Sequence, residues 1–280
     1  MKKLMLVDGS NLLFQMFYGM PSRIVNRDGK AIQGTLGFVG ALLKMIRMIK
    51  PTHLAVFFDG ECANPRQELD GAYKSNRVDY SQMPEEDTPF SQLPDIFKAL
   101  EYLKIPYRET ECCEADDWIA SYAIGNADDC QITIVSQDSD FFQLINHWVQ
   151  VLRYRGKQSI LCDPAYIQEK LGIIPQRYAF YKALTGDGAD HIPGVPHVGP
   201  KTAADLVNRF GDLETLLSNT ALIPKPSVRH AVEQNAERIR LNAMLITLKG
   251  NQAFPFSLDE LEFSDTGLTT MEVLAAIGLR

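Results

Sequence analysis

The chain has 280 residues, 45% of them hydrophobic, and a formal charge of −7 at pH 7, with 35 Asp and Glu against 28 Lys and Arg. It is long enough to bury a full core, as one large domain or as a core with an appendage. The five cysteines are odd in number and show no C-x-x-C spacing, which argues against a disulfide framework or a zinc site and predicts reduced thiols in a cytoplasmic protein, with Cys112 and Cys113 as small buried or half-buried fillers.

The first element predicted is a strand over "KKLMLVD". Its apolar run Leu4–Val7 is stopped at once by Asp8, so no signal peptide is expected. No apolar run approaches the ~18 residues needed to cross a membrane. "THLAVFFD" and "QITIVSQD" are further β-rich runs, suited to strands buried on both faces. Helical patterns lie between them at about Gly37–Ile49, Phe90–Leu103 and Ala115–Ile124. Strand–helix alternation of this kind predicts an α/β fold with a mainly parallel central sheet. "WVQVLRY" predicts another strand, with "QSILC" able to pair beside it.

Residues 60–89 are long, polar and weakly periodic, the pattern of a functional or mobile segment inside a compact domain. From about Pro175 the chain reads as mostly helical, including "SVRHAVEQNAERIRLNAMLITLKG". Within this part, "DHIPGVPHVGPKTAADL" superficially resembles a nucleotide-binding loop. The P-loop pattern places its lysine directly after the second glycine, whereas Pro200 separates Gly199 from Lys201. The segment before it, "LTGDGADHIP", is acidic and turn-rich rather than a buried strand. What remains is a tight turn opening a helix that Gly211 ends. The free N–H groups of such a helix start favour an anion. Alone the turn reads as an ordinary turn and cap, while two glycines, Lys201, Thr202 and the neighbouring acids weigh toward a phosphodiester backbone. Residues 250–280 predict only a short amphipathic helix, packed on the core or facing a partner.

All three confident strands end in aspartate: Asp8, Asp59 and Asp138. In parallel sheets, the carboxyl ends of the strands form the ligand crevice. Asp140 adds a fourth carboxylate. "CCEADDWIA" places Glu114, Asp116 and Asp117 in a first helical turn, and "TGDGAD" contributes Asp187 and Asp190. Any one of these could be a cap or a dipole partner. Nine carboxylates converging in one crevice could not all stay ionised without cations. Hard divalent ions, Mg²⁺ or Mn²⁺, prefer such oxygen ligands, and two of them ~4 Å apart suit phosphodiester cleavage. Setting those nine aside from the 35 acids leaves 26 against 28 Lys and Arg, so the acidic balance does not exclude DNA.

These motifs identify a family resemblance. "LMLVDGSNLLFQMFY", "THLAVFFDGE", "AYKSNR", "ECCEADDWIA", "TIVSQDSDFFQL" and "YKALTGDGADHIPGVPHVGPKTA" resemble, in order over about residues 2–217, the 5′ nuclease or flap endonuclease superfamily. The likeness is to the 5′–3′ exonuclease domain of bacterial family-A DNA polymerases. It implies a PIN-like nuclease core over 1–174 with an arch at about 60–89. A helix-three-turn-helix DNA-binding region over 175–250 and a C-terminal extension over 251–280 would follow. No polymerase or proofreading motifs follow in these residues, so a stand-alone nuclease is expected.

By resemblance, Asp8, Asp59, Glu114, Asp116 and Asp138 surround one metal, and Asp140, Asp187 and Asp190 serve a second, with Asp117 nearby or acting through water. Lys74 and Arg77 contact the scissile phosphate. Tyr73 packs or stacks against a base, and Arg66 belongs to the same electropositive wall. Gly194, Val198, Gly199, Lys201 and Thr202 form the turn that holds the duplex backbone, often with a K⁺ ion. The implied partner is DNA with a 5′ flap, 5′ overhang or branch, cut by a monomer with a functional link to a DNA polymerase and no membrane role. The products would carry 5′-phosphate and 3′-hydroxyl ends.

Three positions depart from the family pattern. Gln15 stands where an arginine is usual, Ser139 where a lysine is frequent, and His191 where an asparagine is usual. None is a metal ligand, so activity is expected to survive, with substrate affinity and the balance between flap and exonuclease cutting open to change. Arg23, Arg27 and Lys30 are the nearby cations that could compensate for Gln15. Two alternatives stand beside this reading: a PIN-type ribonuclease, which lacks the glycine turn, and a non-catalytic structure-specific DNA-binding module, which would not need all nine acids.

Overall fold

The computed structural model describes residues 1–60, 65–111 and 113–279. Its centre is a six-stranded sheet built from β1 (Lys2–Asp8), β2 (His53–Phe58), β3 (Tyr107–Glu109), β4 (Cys130–Val135), β5 (Val149–Arg153) and β6 (Ile160–Cys162), in the order β3-β2-β1-β4-β5-β6. All neighbouring pairs are parallel except β5–β6, where Val151 faces Cys162 across an antiparallel ladder. β1 lies between β2 and β4, with Leu4 opposite both His53 and Ile132.

Helices cover both faces. The first part of the chain supplies α1 (Gly9–Gly19), α2 (Gln33–Ile49), α3 (Pro65–Leu69), α4 (Leu93–Tyr102) and α5 (Ala115–Gly125). After the sheet come α6 (Pro164–Leu171), α7 (Tyr178–Thr185), α8 (Pro200–Phe210), α9 (Leu213–Ser218), α10 (Pro226–Gln234), α11 (Ala236–Ile246) and α12 (Thr270–Ala276). Alternate side chains of the central strands enter two different cores, which is why the strands read as continuous apolar runs. Leu4, Leu6, Phe57, Ile132 and Ile134 pack with α5 and the helical half. Met5, Val7, Leu54 and Val56 pack with α1, α2, α4 and Val273 of α12. The C-terminal helix therefore packs on the core, fastened at its start by a capping box between Thr269 and Glu272.

Several elements differ from the sequence pattern. α1 carries no clear amphipathic period, because its burial comes from Gly9, Leu12 and Leu13 beneath the sheet end. α2 begins four residues before its expected start, with Gln33, Gly34 and Thr35 buried against Gln92, whose Oε1 accepts from Thr35 N at 2.8 Å. The helix expected from Phe90 begins at Leu93 after a 3-10 turn. The long helical pattern of 227–250 breaks at Asn235 into α10 and α11. Cys113, Cys130 and Cys162 are buried, while Cys62 and Cys112 lie outside the described residues. No helix among the described residues is long and apolar enough to cross a membrane.

The turn between α7 and α8 is shaped by two glycines in close main-chain approach. A Cβ on Gly194 would stand 2.3 Å from the Thr185 carbonyl oxygen, and one on Gly186, at φ +77°, would stand 2.3 Å from Gly194 N. Both obstacles are backbone, so no side chain can move aside. Gly194→Ala is expected to cost about 1–3 kcal/mol or more, read as a lowered Tm. Gly188→Ala, which meets nothing within 4 Å, should leave Tm unchanged, and equal Tm values for the two variants would contradict this packing.

Candidate active site

The parallel strands bring the acids to one rim. Asp8 closes β1 and also caps α1, its Oδ1 accepting from Asn11 N at 2.9 Å and its Oδ2 from Ser136 Oγ at 2.8 Å. Asp59 follows β2, where its Oδ1 accepts from Ala115 N at 2.9 Å and so ties the start of α5 to the sheet. Asp138 lies three residues beyond β4, and its Oδ1 accepts from Asp140 N at 2.8 Å. Asp116 sits in the first turn of α5, within the field of Asp8, Asp138 and Asp59.

A second group joins this one through Asp138. Oxygens of Asp140, Asp187 and Asp190 lie within 4.8 Å of one another. Asp187 and Asp190 are carried by a tight turn in which the main chains of Asp187 and Ile192 exchange hydrogen bonds of 2.8 Å. Burial and like charge act together on these groups. Desolvation, followed by the charge of Asp59, pushes the Asp8 carboxyl up to about 7. Desolvation and Asp138 push Asp140 up to about 8. Asp116 is raised well above the usual carboxylate range by desolvation and by Asp8, and Asp138 is raised by desolvation against the lowering hydrogen bond from Asp140.

Cations hold the rest of the wall. Lys74, at φ +57°, donates its main-chain N–H to the Asp190 carbonyl at 3.0 Å and its ammonium to Glu114. A non-glycine residue in the left-handed region is a marker of imposed geometry. Arg77 donates to Asp190 Oδ1 at 3.0 Å. Ser75 and Asn76 complete the junction, with Ser75 Oγ 2.6 Å from His191 Nδ1 and Asn76 Nδ2 donating to Gly188 O at 3.0 Å. The "AYKSNR" stretch is thus docked on the turn that bears Asp187 and Asp190.

Lys182 of α7 is a member of this wall that the sequence reading missed. Only 8% exposed, it pairs with Asp187 and stands 3.7 Å from Asp140 Oδ1. Burial opposes its charge, but Tyr178, Asp140 and Asp187 outweigh that and raise its pKa. An ammonium therefore reaches the second acidic group although Ser139 stands where the family often has a lysine. The available signal was its place five residues before Asp187, which puts it on the last turn of the helix leading into the acidic turn.

Not every expected residue faces the crevice. Asp117 is 2% exposed, and its carboxylate takes both guanidinium nitrogens of Arg66, at 2.8 and 3.0 Å, together with Lys249 N at 2.8 Å. Glu114 accepts from Arg66 at 2.6 Å, from Tyr73 Oη at 3.3 Å and from Lys74. Arg66 itself is 2% exposed and reaches on to Leu245 O at 2.9 Å. It braces α3, α5 and α11 from inside rather than forming an outer electropositive wall. Tyr73 is buried with Ile192, Leu245 and Ile246, so its ring packs and offers almost no face to a base. At the glycine turn, Gly194, Gly199 and Lys201 are exposed and Thr202 is half-buried. Val198 is buried and anchors the turn to the core instead of lining its outer face.

Among known proteins, the family model described as 5′–3′ exonuclease, N-terminal resolvase-like domain, matches residues 3–172. The model described as 5′–3′ exonuclease, C-terminal SAM fold, matches 173–267. DNA polymerase I of Rhizobium leguminosarum is 38% identical over 267 residues, 92% of this chain and 26% of that protein. The thermostable DNA polymerase I of Thermus aquaticus is 33% identical over 241 residues, 86% of this chain and 28% of that protein. The chain thus spans about a quarter of the length of these curated relatives. Among solved structures, the bacteriophage T5 D15 protein co-crystallised with metal ions superimposes with a TM-score of 0.72 at 22% identity, covering 89% of this chain and 90% of that one. The catalytic core of Rad2 in complex with DNA substrate gives 0.60 at 17% identity, covering 99% and 91%. At these identities the structural likeness is one of fold.

Two outcomes test the site as built. In the protein without metal, Asp8 and Asp140 bind protons more tightly than in the unfolded chain, so stability falls as pH rises from about 4 to about 8. A divalent ion should therefore raise Tm more at pH 8 than at pH 5, and equal shifts in differential scanning fluorimetry would contradict the coupling. Arg66→Ala leaves Glu114 and Asp117 buried with lost partners and is expected to destabilise by about 3–5 kcal/mol, seen as a large loss of denaturant midpoint. An unchanged midpoint would return Arg66 to the surface.

Proposed function

This chain belongs to the 5′–3′ exonuclease family, and from that premise we propose that it is a structure-specific 5′ nuclease of DNA. It hydrolyses phosphodiester bonds at a 5′ flap, 5′ overhang or branch, as flap endonuclease and 5′–3′ exonuclease, leaving 5′-phosphate and 3′-hydroxyl ends. The observation that carries this reading is the joining of two carboxylate groups through Asp138, at the strand ends and beside Lys74, Arg77 and Lys182.

The donor set fits a hard divalent cation. It is all oxygen, and Asp140 Oδ1 is buried without a hydrogen-bond partner among the described residues, Lys182 being too far away to donate. Asp8, Asp59, Asp116 and Asp138 would hold one ion, and Asp140, Asp187 and Asp190 a second, with Mg²⁺ or Mn²⁺ the matching ions. When bound, such ions supply water activation and stabilisation of phosphate charge.

The chain's own residues do the positioning. Lys74 and Arg77 present positive charge to the phosphate where its negative charge builds up, held there by Glu114 and Asp190. Lys182 pairs with Asp187 and stands 3.7 Å from Asp140, so a positive charge lies beside the second acidic group. At the start of α8, Lys201 and Thr202 occupy the first turn, where main-chain N–H groups lack helical partners, and Lys201 is exposed, a cradle for one duplex phosphate. A Cβ on Gly199 would meet nothing within 4 Å, so a ligand backbone can approach it closely. A K⁺ ion at this turn, a monomeric cytoplasmic protein and a link to a DNA polymerase belong to the same reading, the last supported by the DNA polymerase I relatives.

The decisive experiment is cleavage of a 5′-labelled flap duplex with Mg²⁺, with Mn²⁺ and with EDTA. Metal-dependent cutting near the junction is expected, and Asp138→Asn or Asp116→Asn should abolish it while leaving DNA binding largely intact. Full activity in either variant overturns the site assignment, and tight binding without cleavage in any metal makes the chain a binding module.

A further inference from the structure

The hairpin joining β5 to β6, "RYRGKQS" over residues 153–159, has no role in the site described above. Arg155, Gly156, Lys157 and Gln158 are exposed at its tip. The turn is tight: Gly156 has φ +59°, and Ser159 Oγ accepts from Arg155 N at 2.9 Å while donating to Gly156 O at 2.7 Å.

What marks this hairpin is its attachment. Gln15 of α1 and Gln137 both donate to the Tyr154 carbonyl, at 2.7 and 2.9 Å. Arg153 donates to Gln137 O at 3.1 Å, and Arg155 Nε to Gln137 Oε1 at 3.2 Å. Gln137 in turn donates its N–H to Asn11 Oδ1 at 2.9 Å, and Asn11 N donates to Asp8. The hairpin is therefore hung from the two segments that carry Asp8 and Asp138. Beside it opens a cleft of about 490 Å³, lined by Gln15, Met16, Met20, Gln137, Tyr154 and Arg155 among others and by no carboxylate.

The cations offered by the sequence to replace the missing arginine at position 15 are engaged or turned elsewhere. Arg23 pairs with Asp87 at 3.4 Å and Lys30 with Asp95 at 2.5 Å, while Arg27 lines a groove beside α12. Among the described residues, Arg155 and Lys157 make no ion pair with the protein.

We propose that Arg155 and Lys157 form a second phosphate clamp for the DNA backbone at the rim of the acidic crevice, held in place by Gln15 and Gln137. Gln15 on this reading carries no charge to the substrate; it fixes a loop that does. The proposal rests on the nuclease reading. Two cations aimed at solvent on a rigid loop attract a polyanion, and each phosphate they neutralise releases counterions.

The test is binding of a 5′-flap duplex, with Ca²⁺ present and strand integrity checked on a gel, over a series of salt concentrations. R155A/K157A is expected to bind about 10-fold more weakly near physiological salt, with a salt slope shallower by about two. R155K/K157R should keep the native slope, and Q15A should weaken binding while keeping the slope, because both charges remain. Native affinity and slope in R155A/K157A overturn this inference and leave the nuclease reading standing. A loss in R155K/K157R as large as in the alanine variant also overturns it. Failure of the native protein to bind DNA overturns both.

Discussion

Like charge gathered at the end of a parallel sheet is the constraint on which the rest of this molecule depends. Parallel strands end together, so Asp8, Asp59 and Asp138 cannot avoid one another once β1, β2 and β4 pair. Burial and like charge raise the pKa of Asp8, Asp116 and Asp140, and burial raises that of Asp138, so these carboxyls resist ionisation. The fold meets that cost partly with hydrogen bonds, from Asn11, Ser136, Ala115 and the main chain of Asp140. The remainder is left for positive charge, from side chains and from ions suited to oxygen ligands.

The side-chain cations divide into two roles. Arg66 is consumed internally, binding Glu114 and Asp117 with its back to α11. Such a buried network adds little net stability but is costly to break, and it fixes α3, α5 and α11 relative to one another. Lys74, Arg77 and Lys182 instead stand on the crevice side, Arg77 and Lys182 paired with Asp190 and Asp187 and Lys74 with Glu114. Docking of the "AYKSNR" stretch on the turn of Asp187 and Asp190 couples the polar 60–89 region to the second acidic group. Lys74, Asn76 and Arg77 carry the hydrogen bonds of that junction.

On the proposed nuclease reading, grip on a nucleic acid comes from places remote in sequence. The turn before α8 offers main-chain N–H groups without interference from side chains. The β5–β6 hairpin offers two charges on a loop braced by glutamines. The departures from the family pattern fit this distribution. Gln15 becomes a brace, Ser139 is offset by Lys182, and His191 adopts φ +59° while meeting Ser75, a conformation asparagine adopts readily.

The sequence alone determined the central strands, the acids at their ends and the glycine turn. Each is a local signal: an apolar run long enough for a doubly buried strand, an acid at its end, two glycines where main chains touch. Element boundaries were less legible, since the start of α2 is tied down by a hydrogen bond between Thr35 and Gln92, 57 residues apart. Which acids come together at the rim and which hold a guanidinium was decided by tertiary structure. Asp116 and Asp117 are neighbours in one helical turn, yet their side chains point to different partners, and the partner of Asp117 stands 51 residues away. Burial of Arg66, Tyr73 and Val198 and the arrival of Lys182 at Asp187 were equally unreadable. Charge and aromaticity tell what a side chain can do, but only the packing of α3, α7 and α11 tells which way it faces.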